Sequence, residues 1–205
     1  HRILVTNQLI YQNGTYQIDF DDFEQQIKQH QVKLFILCSP HNPIGRVWTK
    51  QELTKMIEIC QKYHVLIISD EIHSDFVYQK GTHHILASLN PIIEQNCIIC
   101  TAPSKTFNLA GLQISNILIP NPKIREKFLT VLSANHTGDP NLFGLTACQA
   151  AYEHGAEWLD QLLIYLSENI CYVRDFLKKQ IPQIQFIQPQ GTYLLWLDCT
   201  ALPIA

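Results

Sequence analysis

The 205-residue sequence predicts an α/β fold built on a mostly parallel sheet, followed by the start of a smaller α/β domain. Three observations predict it. Apolar runs in the first half are continuous rather than alternating, which is typical of strands covered on both faces of a parallel sheet. A well-marked helix separates the first two of these runs. After Pro120 the pattern changes to helical spacing and ends in a hairpin.

Four buried strands are predicted, at residues 32–38, 65–69, 97–101 and 114–119, and a further strand at residues 1–5. Between the first two strands, Thr49 and Glu52 have the spacing of a capping box, which marks the start of a helix. Apolar residues then recur on one face of that helix. Strand, helix and strand at this spacing indicate a βαβ unit.

Helical periodicity predicts three helices after Pro120, at residues 123–132, 143–154 and 157–180. The longest carries an apolar stripe interpreted as core: Trp158, Leu162, Leu163, Leu166, Ile170, Val173 and Leu177. Strands at 184–187 and 192–197 then predict a hairpin. We therefore expect a partial large domain over residues 1–156, and a connecting helix with a partial C-terminal small domain over 157–205.

The composition excludes several function classes. Apolar residues make up 46% of the chain, which is too many for intrinsic disorder. The net charge of −3, without a basic block, argues against nucleic acid as a partner. No apolar run approaches the ~18 residues of a membrane span, so we expect a cytoplasmic protein. Charged residues are only 16%, and both ends are abrupt, so we expect a piece of a longer chain whose apolar surface is covered elsewhere.

Seven cysteines are expected to be reduced, and mostly buried, thiols. Cys97 and Cys100 have C-x-x-C spacing, but positions i and i+3 of a strand point to opposite faces, and no second pair completes a zinc site. Redox or metal chemistry at this pair is therefore disfavoured.

Polar segments follow three of the predicted strands, at residues 39–46, 69–73 and 101–108. In an open α/β sheet, ligands bind at the carboxyl ends of the strands. An Asn-Pro turn, a carboxylate and a lysine could therefore surround one small ligand. Lysine is a poor nucleophile at neutral pH, because well under ~0.1% of it is neutral at its ordinary pKa. Imine formation with an aldehyde cofactor removes that obstacle, and an aspartate facing a pyridine nitrogen keeps the ring an electron sink.

These segments resemble three signature segments of fold-type I pyridoxal 5'-phosphate enzymes of the class I/II aminotransferase superfamily. They are Asn42-Pro43-Ile44-Gly45-Arg46-Val47-Trp48, Ser69-Asp70-Glu71-Ile72-His73 and Ala102-Pro103-Ser104-Lys105-Thr106-Phe107-Asn108-Leu109-Ala110-Gly111-Leu112. Their order and separations also fit that superfamily. The resemblance implies a large domain like that of the pyridoxal-phosphate-dependent transferases.

Within the superfamily, the sequence is most similar to the MalY/PatB-type cystathionine β-lyases, also called C–S lyases. The similarity rests on His41, the Gly45–Trp48 turn, His73 in place of a tyrosine, and the segments 134–136 and 140–144. The segment 191–198 resembles the start of that branch's small domain. The family is typically a homodimer with its sites at the subunit interface.

The resemblance implies a role for each matching residue. Lys105 would form the imine with the cofactor and later move the substrate's Cα proton. Asp70 would pair with the pyridine nitrogen, and Asn42 would donate to the ring's phenolic oxygen, with His73 at the same edge. Ser104 and Thr101 would help to bind the phosphate. No metal is expected.

Other interpretations of the same residues stay open. His73 could instead bind a metal with Asp70, Asp75 and His83 or His84, although no helical H-x-x-x-H pair supports this. Arg46 is expected to anchor its turn rather than bind substrate. Glu71 is expected to be a structural carboxylate, because neighbouring strand residues face opposite ways.

The implied activity is β-elimination from an S-substituted amino acid such as cystathionine, which yields a thiol, pyruvate and ammonia. The alternative is a class I/II aminotransferase with the same cofactor, since both need Lys105 and Asp70. A second alternative is a non-catalytic fragment. The family's glycine-containing phosphate cradle and its carboxylate-binding arginine have no counterpart in the sequence, so this chain alone is expected to bind the cofactor poorly and to be inactive.

Overall fold

The computed structural model describes residues 4–203. Its strands are β1 (Leu9–Gln12), β2 (Thr15–Ile18), β3 (Leu34–Cys38), β4 (Leu66–Asp70), β5 (Cys97–Thr101), β6 (Asn116–Leu118), β7 (Gln185–Ile187) and β8 (Trp196–Asp198). Its helices are α1 (Phe20–His30), α2 (Lys50–Lys62), α3 (Pro91–Glu94), α4 (Pro103–Thr106), α5 (Pro122–Ala134), α6 (Leu142–His154) and α7 (Ala156–Gln180). Within this part of the chain, no helix combines the length and apolar character needed to cross a membrane.

The central sheet has the strand order β3-β4-β5-β6. The first three strands are parallel, and β6 is antiparallel to β5. The mostly parallel sheet is therefore confirmed, and each strand lies within its predicted range or one residue beyond it. Of the strand predicted at 1–5, residues 1–3 lie outside the described residues, and residues 4 and 5 are not in a strand.

The core lies between this sheet and the helices α1 and α2. Thr49 and Glu52 form both hydrogen bonds of the predicted capping box at the start of α2. The apolar face of α2 is buried, with Leu53 and Cys60 fully inaccessible. It packs against alternate strand residues, among them Leu37, Ile67 and Ile99. The predicted βαβ unit is therefore present.

The prediction that the strands are covered on both faces is wrong for part of the sheet. Side chains alternate between the faces of a strand, so Ile36 points away from the core that holds Leu37. Ile36 is 63% exposed, and Ile117 of β6, which pairs with Cys100 on that same face, is 42% exposed. The physical reason is that α1 and α2 cover one face, and the described residues leave the edges of the other face open.

Three elements near the start were not predicted. The hairpin of β1 and β2 turns at Asn13-Gly14, where both residues have positive φ, as a type I′ turn requires. α1 begins after Asp19, whose side chain accepts hydrogen bonds from two backbone N–H groups. The apolar pattern of α1 is weak, because only Phe23 and Ile27 of its eleven residues are buried.

The C-terminal helices α5, α6 and α7 agree with the prediction to within two residues. The predicted stripe of α7 is buried at Ile170 and Leu177, but Trp158 at its start is 47% exposed. β7 and β8 form the predicted antiparallel hairpin, although β8 begins at Trp196 rather than at residue 192. The reason is that Thr192 pairs elsewhere, since its N–H donates to the carbonyl of Phe76 at 2.9 Å.

Candidate active site at the carboxyl edge of the sheet

The three predicted polar segments begin at one edge of the sheet. Asp70 at the end of β4 is paired in register with Cys38 of β3 and with Cys100 of β5. The pairing continues one residue further, because Ser39 donates its N–H to the Asp70 carbonyl at 3.0 Å and Glu71 donates to the Cys100 carbonyl at 2.8 Å. The structure therefore brings these segments together, as the carboxyl ends of parallel strands require.

The Asp70 side chain lies between two neutral thiols. Register partners in parallel strands point to the same face, so Cys38 and Cys100 flank the carboxylate. Burial raises the pKa of both thiols, and the charge of Asp70 raises it further. The Asp70 Oδ1 atom accepts a 3.2 Å hydrogen bond from the Ile72 N–H. Asp70 is thus a half-buried carboxylate in weakly polar surroundings, suited to a cationic partner.

His73 is the most enclosed of the predicted site residues, with only 2% of its surface exposed. Its Nδ1 atom is buried and has no hydrogen-bond partner among the described residues. Burial lowers the pKa of His73, while Asp70 raises it and Lys105 lowers it. The imidazole is therefore neutral at pH 7, and the charges of Asp70 and Lys105 both act on it. Asp70, His73 and Lys105 thus all follow strand ends at the same edge of the sheet.

Lys105 and Ser104 lie on α4, directly after β5. Lys105 is exposed and Ser104 is half-buried. Thr106, the next residue, is completely buried and donates from Oγ1 to the Oδ2 atom of Asp75 at 2.7 Å. Thr101 pairs with Asn116 of β6, and alternation along β5 turns it away from the face that carries Cys100 and Asp70. The structure thus brings Ser104 and Lys105 to this edge, but it does not bring Thr101 to the face of Asp70.

Asn42 lies in the loop that follows β3. The loop contains cis peptide bonds at Ser39-Pro40 and Asn42-Pro43 and closes with a 2.8 Å hydrogen bond from the His41 N–H to the Arg46 carbonyl. Asn42 is exposed, and its backbone N–H donates to the Cys38 Sγ atom at 3.4 Å. Its side chain is therefore available to a ligand at the edge of the sheet.

Arg46 anchors its turn, as predicted. Its guanidinium is buried, pairs with Glu52, and donates to the Gln190 Oε1 atom at 2.8 Å. The same guanidinium lies 4.9 Å from the centre of the Trp48 ring. These contacts occupy the side chain and fix the loop that carries Asn42.

The sequence interpretation missed the contribution of residues 190–193. The Tyr193 ring packs edge-on against His73 and Phe76, with centroid distances of 5.4 and 5.1 Å. The Tyr78 hydroxyl donates to the Thr192 carbonyl at 2.6 Å, and burial raises the pKa of Tyr78 to about 12. The motif around Tyr193 was visible in the sequence, but its contact with a residue 120 positions earlier was not.

Glu71 is a structural carboxylate, as predicted. It is buried, and its Oε1 atom accepts hydrogen bonds from the Ser69 hydroxyl at 2.9 Å and the Leu86 N–H at 3.0 Å. Its Oε2 atom lies 3.0 Å from the His83 Nε2 atom. Within residues 4–203, no group of three His, Cys, Asp or Glu side chains is arranged to hold a metal ion. The alternative metal site is therefore without support, and His83 pairs with Glu71 instead of Asp70.

The sequence pattern of the family "Aminotransferase class I and II" matches residues 5–203. Cystathionine beta-lyase PatB of Bacillus subtilis (strain 168) is 42% identical over 98% of this chain and 52% of its own length. The structure of cystalysin from Treponema denticola, which contains a pyridoxal 5'-phosphate cofactor, aligns with a TM-score of 0.92 and 39% identity over 96% of this chain and 50% of that one.

A pyridoxal-phosphate-bound C–S lyase from Staphylococcus hominis aligns with a TM-score of 0.87 and 40% identity, over 95% of this chain and 48% of that one. The family resemblance and the predicted fold class are therefore confirmed. The chain spans about half the length of each of these proteins.

Proposed function

We propose, from the premise that the chain belongs to the aminotransferase class I and II family, that the complete protein is a pyridoxal 5'-phosphate-dependent carbon–sulfur β-lyase. Its substrates are S-substituted cysteine-like amino acids such as cystathionine. The observation that carries the proposal is the shared edge of the parallel strands, where Asp70 ends β4, the buried His73 follows it, and Lys105 lies on the helix after β5. The similarity to a cystathionine β-lyase and to a C–S lyase supports the choice of reaction.

The residues at the sheet edge fit the cofactor. The buried, unpartnered Nδ1 atom of His73 needs a hydrogen-bonding group from outside the described residues. Asp70 would hold the protonated ring nitrogen. Asn42 and His73 would contact the edge of the ring that carries the phenolic oxygen. Ser104 would hold the phosphate, whereas Thr101 faces away from Asp70 and is not assigned to it. When bound, the cofactor supplies an aldehyde that condenses with amines and a ring that accepts electrons.

The chain's own residues then have distinct tasks. Lys105 binds the cofactor and, once the substrate's amino group has displaced it, removes the proton from the substrate's Cα atom and holds it on Nζ. Asp70 keeps the ring nitrogen charged. The Cβ–S bond breaks with its electron pair leaving on sulfur. Across the whole reaction, substrate and one water give thiol, pyruvate and ammonia.

We also propose how the complete protein is divided into domains and assembled. Residues 1–156 would form a partial cofactor-binding domain, and residues 157–205 the connecting helix and part of the small domain. The complete protein would be a cytoplasmic homodimer. Leu142 and Phe143 on α6 are 74% and 76% exposed. Such exposed apolar side chains support a homodimer in which the second copy covers them.

An aminotransferase with the same cofactor is the second candidate, because the matching family is named for that activity and both reactions need Lys105 and Asp70. The complete protein, loaded with cofactor, should be incubated with cystathionine, with and without a keto acid. We expect release of thiol and pyruvate in both mixtures. Amino transfer to the keto acid without thiol release would support the aminotransferase and overturn the lyase.

A further inference from the structure

The short helix α4 carries Lys105, but hydrogen bonds within the helix do little to fix the orientation of that side chain. It comprises only four residues, fewer than a helix needs to be stable by itself. Its N-cap residue, Ala102, supplies no side-chain hydrogen bond. The orientation of Lys105 must therefore come from contacts that α4 makes with the rest of the protein.

One hydrogen bond, from a buried hydroxyl to a half-buried carboxylate, ties α4 to the segment that carries Asp70 and His73. Thr106 is completely buried, and its hydroxyl donates to the Asp75 carboxylate at 2.7 Å. Asp75 follows His73 by two residues, and Thr106 is adjacent to Lys105. A hydroxyl–carboxylate bond is short and directional. This contact therefore joins the two sides of the candidate site directly.

The direction of Lys105 follows from that of Thr106. Successive residues of a helix point about 100° apart, so holding Thr106 inward turns Lys105 outward along a defined direction. A separate contact retains the end of α4, because the Phe107 ring packs against Tyr152 and Trp158 at 5.9 Å from each. Loss of the Thr106 hydroxyl would therefore free the direction of Lys105 while leaving α4 attached.

We propose that Thr106 and Asp75 are positioning residues that set Lys105 relative to Asp70. The inference rests on the proposed function, since it assigns the pair a role in the reaction of Lys105 with the aldehyde cofactor. In that reaction the lysine amine adds to the aldehyde carbon, a C=N bond forms and water leaves. The Thr106–Asp75 pair does not touch the reacting atoms. It acts only through the position of Lys105.

The test uses the complete protein and the variants Thr106→Val, which removes the hydroxyl, and Thr106→Ser, which keeps it. Apoprotein is mixed with pyridoxal 5'-phosphate, and borohydride then reduces the C=N bond at timed intervals. Mass spectrometry measures the cofactor fixed to Lys105. We expect Thr106→Val to slow its appearance about tenfold and Thr106→Ser to stay within about twofold of the parent protein.

Asp75→Ala, which removes the acceptor of the Thr106 hydroxyl, and its combination with Thr106→Val complete a double-mutant cycle. If the two residues act through one bond, the double variant is no slower than Thr106→Val. The melting temperature of every variant is measured alongside. A lower melting temperature with the parent's labelling rate would mean a merely structural contact and would overturn the inference.

The controls separate this inference from the proposed function. If Lys105 of the parent protein takes up no cofactor, both fail together. If the parent is labelled and Thr106→Val is labelled equally fast, only the positioning role fails. Should Thr106→Val not fold, Asp75→Ala, which removes the acceptor, decides the question alone, since labelling at the parent's rate would then contradict the role.

Discussion

The guanidinium of Arg46 donates a 2.8 Å hydrogen bond to the side chain of Gln190, which lies 144 residues later in the sequence. The same Gln190 oxygen accepts a 3.0 Å bond from the Val47 N–H. Gly45 continues this junction, because its carbonyl accepts from the N–H groups of Gln190 and Gly191. The loop that carries Asn42 is therefore fastened to the segment that brings Tyr193 to His73.

Removing the Gln190 side chain should loosen this junction. We expect Gln190→Ala to lower the free energy of unfolding by about 1 kcal/mol, because a buried guanidinium and a backbone N–H lose their acceptor. Chemical denaturation of the complete protein measures it. Gln183→Ala, at an exposed residue of the same region, is the matched control and should change stability by less than about 0.5 kcal/mol. Equal effects of the two variants would contradict the proposed importance of the junction.

Acid should destabilise the protein partly through His73. Burial holds the pKa of His73 below its ordinary value of about 6.5, so the unfolded chain takes up a proton before the folded one does. Stability is therefore retained above about pH 6.5 and falls as the pH drops below it. Burial also lowers the pKa of His41, so His41 contributes to the same loss of stability at low pH.

The measurement is the free energy of unfolding as a function of pH in the parent and in His73→Gln. We expect a smaller loss on acidification in the variant, with the remainder due in part to His41. His136→Asn is the control, because His136 is exposed and asparagine tolerates its positive φ. An unchanged slope in His73→Gln would show that the imidazole is not held neutral by burial.

The Tyr193 ring should contribute to the environment of His73. Tyr193→Ala removes an aromatic neighbour and admits water, so the pKa of His73 should rise toward its ordinary value. The imidazole proton resonances in NMR spectra recorded over a pH series measure that pKa. Tyr172→Ala, at a ring that is 71% exposed and stacks on Phe176, should leave it unchanged. A fall in the His73 pKa in Tyr193→Ala would contradict this arrangement.

The sequence predicts best where the cause is local. Thr49 and Glu52 define the start of α2 because capping depends on residues three apart, and the structure shows both bonds. The apolar run ending at Cys38 predicts a strand, but not that Ile36 is exposed, because coverage depends on which distant elements pack there.

In the candidate site, too, local features could be predicted from the sequence and long-range contacts could not. The location of Asp70 and Lys105 could be predicted from the strands that precede them, because the carboxyl ends of parallel strands lie at the same edge of the sheet. The contacts of Tyr193 with His73 and of Thr106 with Asp75 join separate loops, and no local pattern in the sequence specifies them. The Asn13-Gly14 turn is different, because its signal was present and the hairpin could have been predicted from it.

Covalent binding of the cofactor by Lys105 can be trapped with borohydride, which makes the C–N bond permanent. The complete protein, Lys105→Ala and the surface control Lys127→Ala are each saturated with pyridoxal 5'-phosphate, reduced and digested for mass spectrometry. We predict one cofactor on the Lys105 peptide of the parent and of Lys127→Ala, and none on any peptide of Lys105→Ala. A cofactor fixed to a different lysine, or retained covalently by Lys105→Ala, would show that Lys105 is not the residue that binds it.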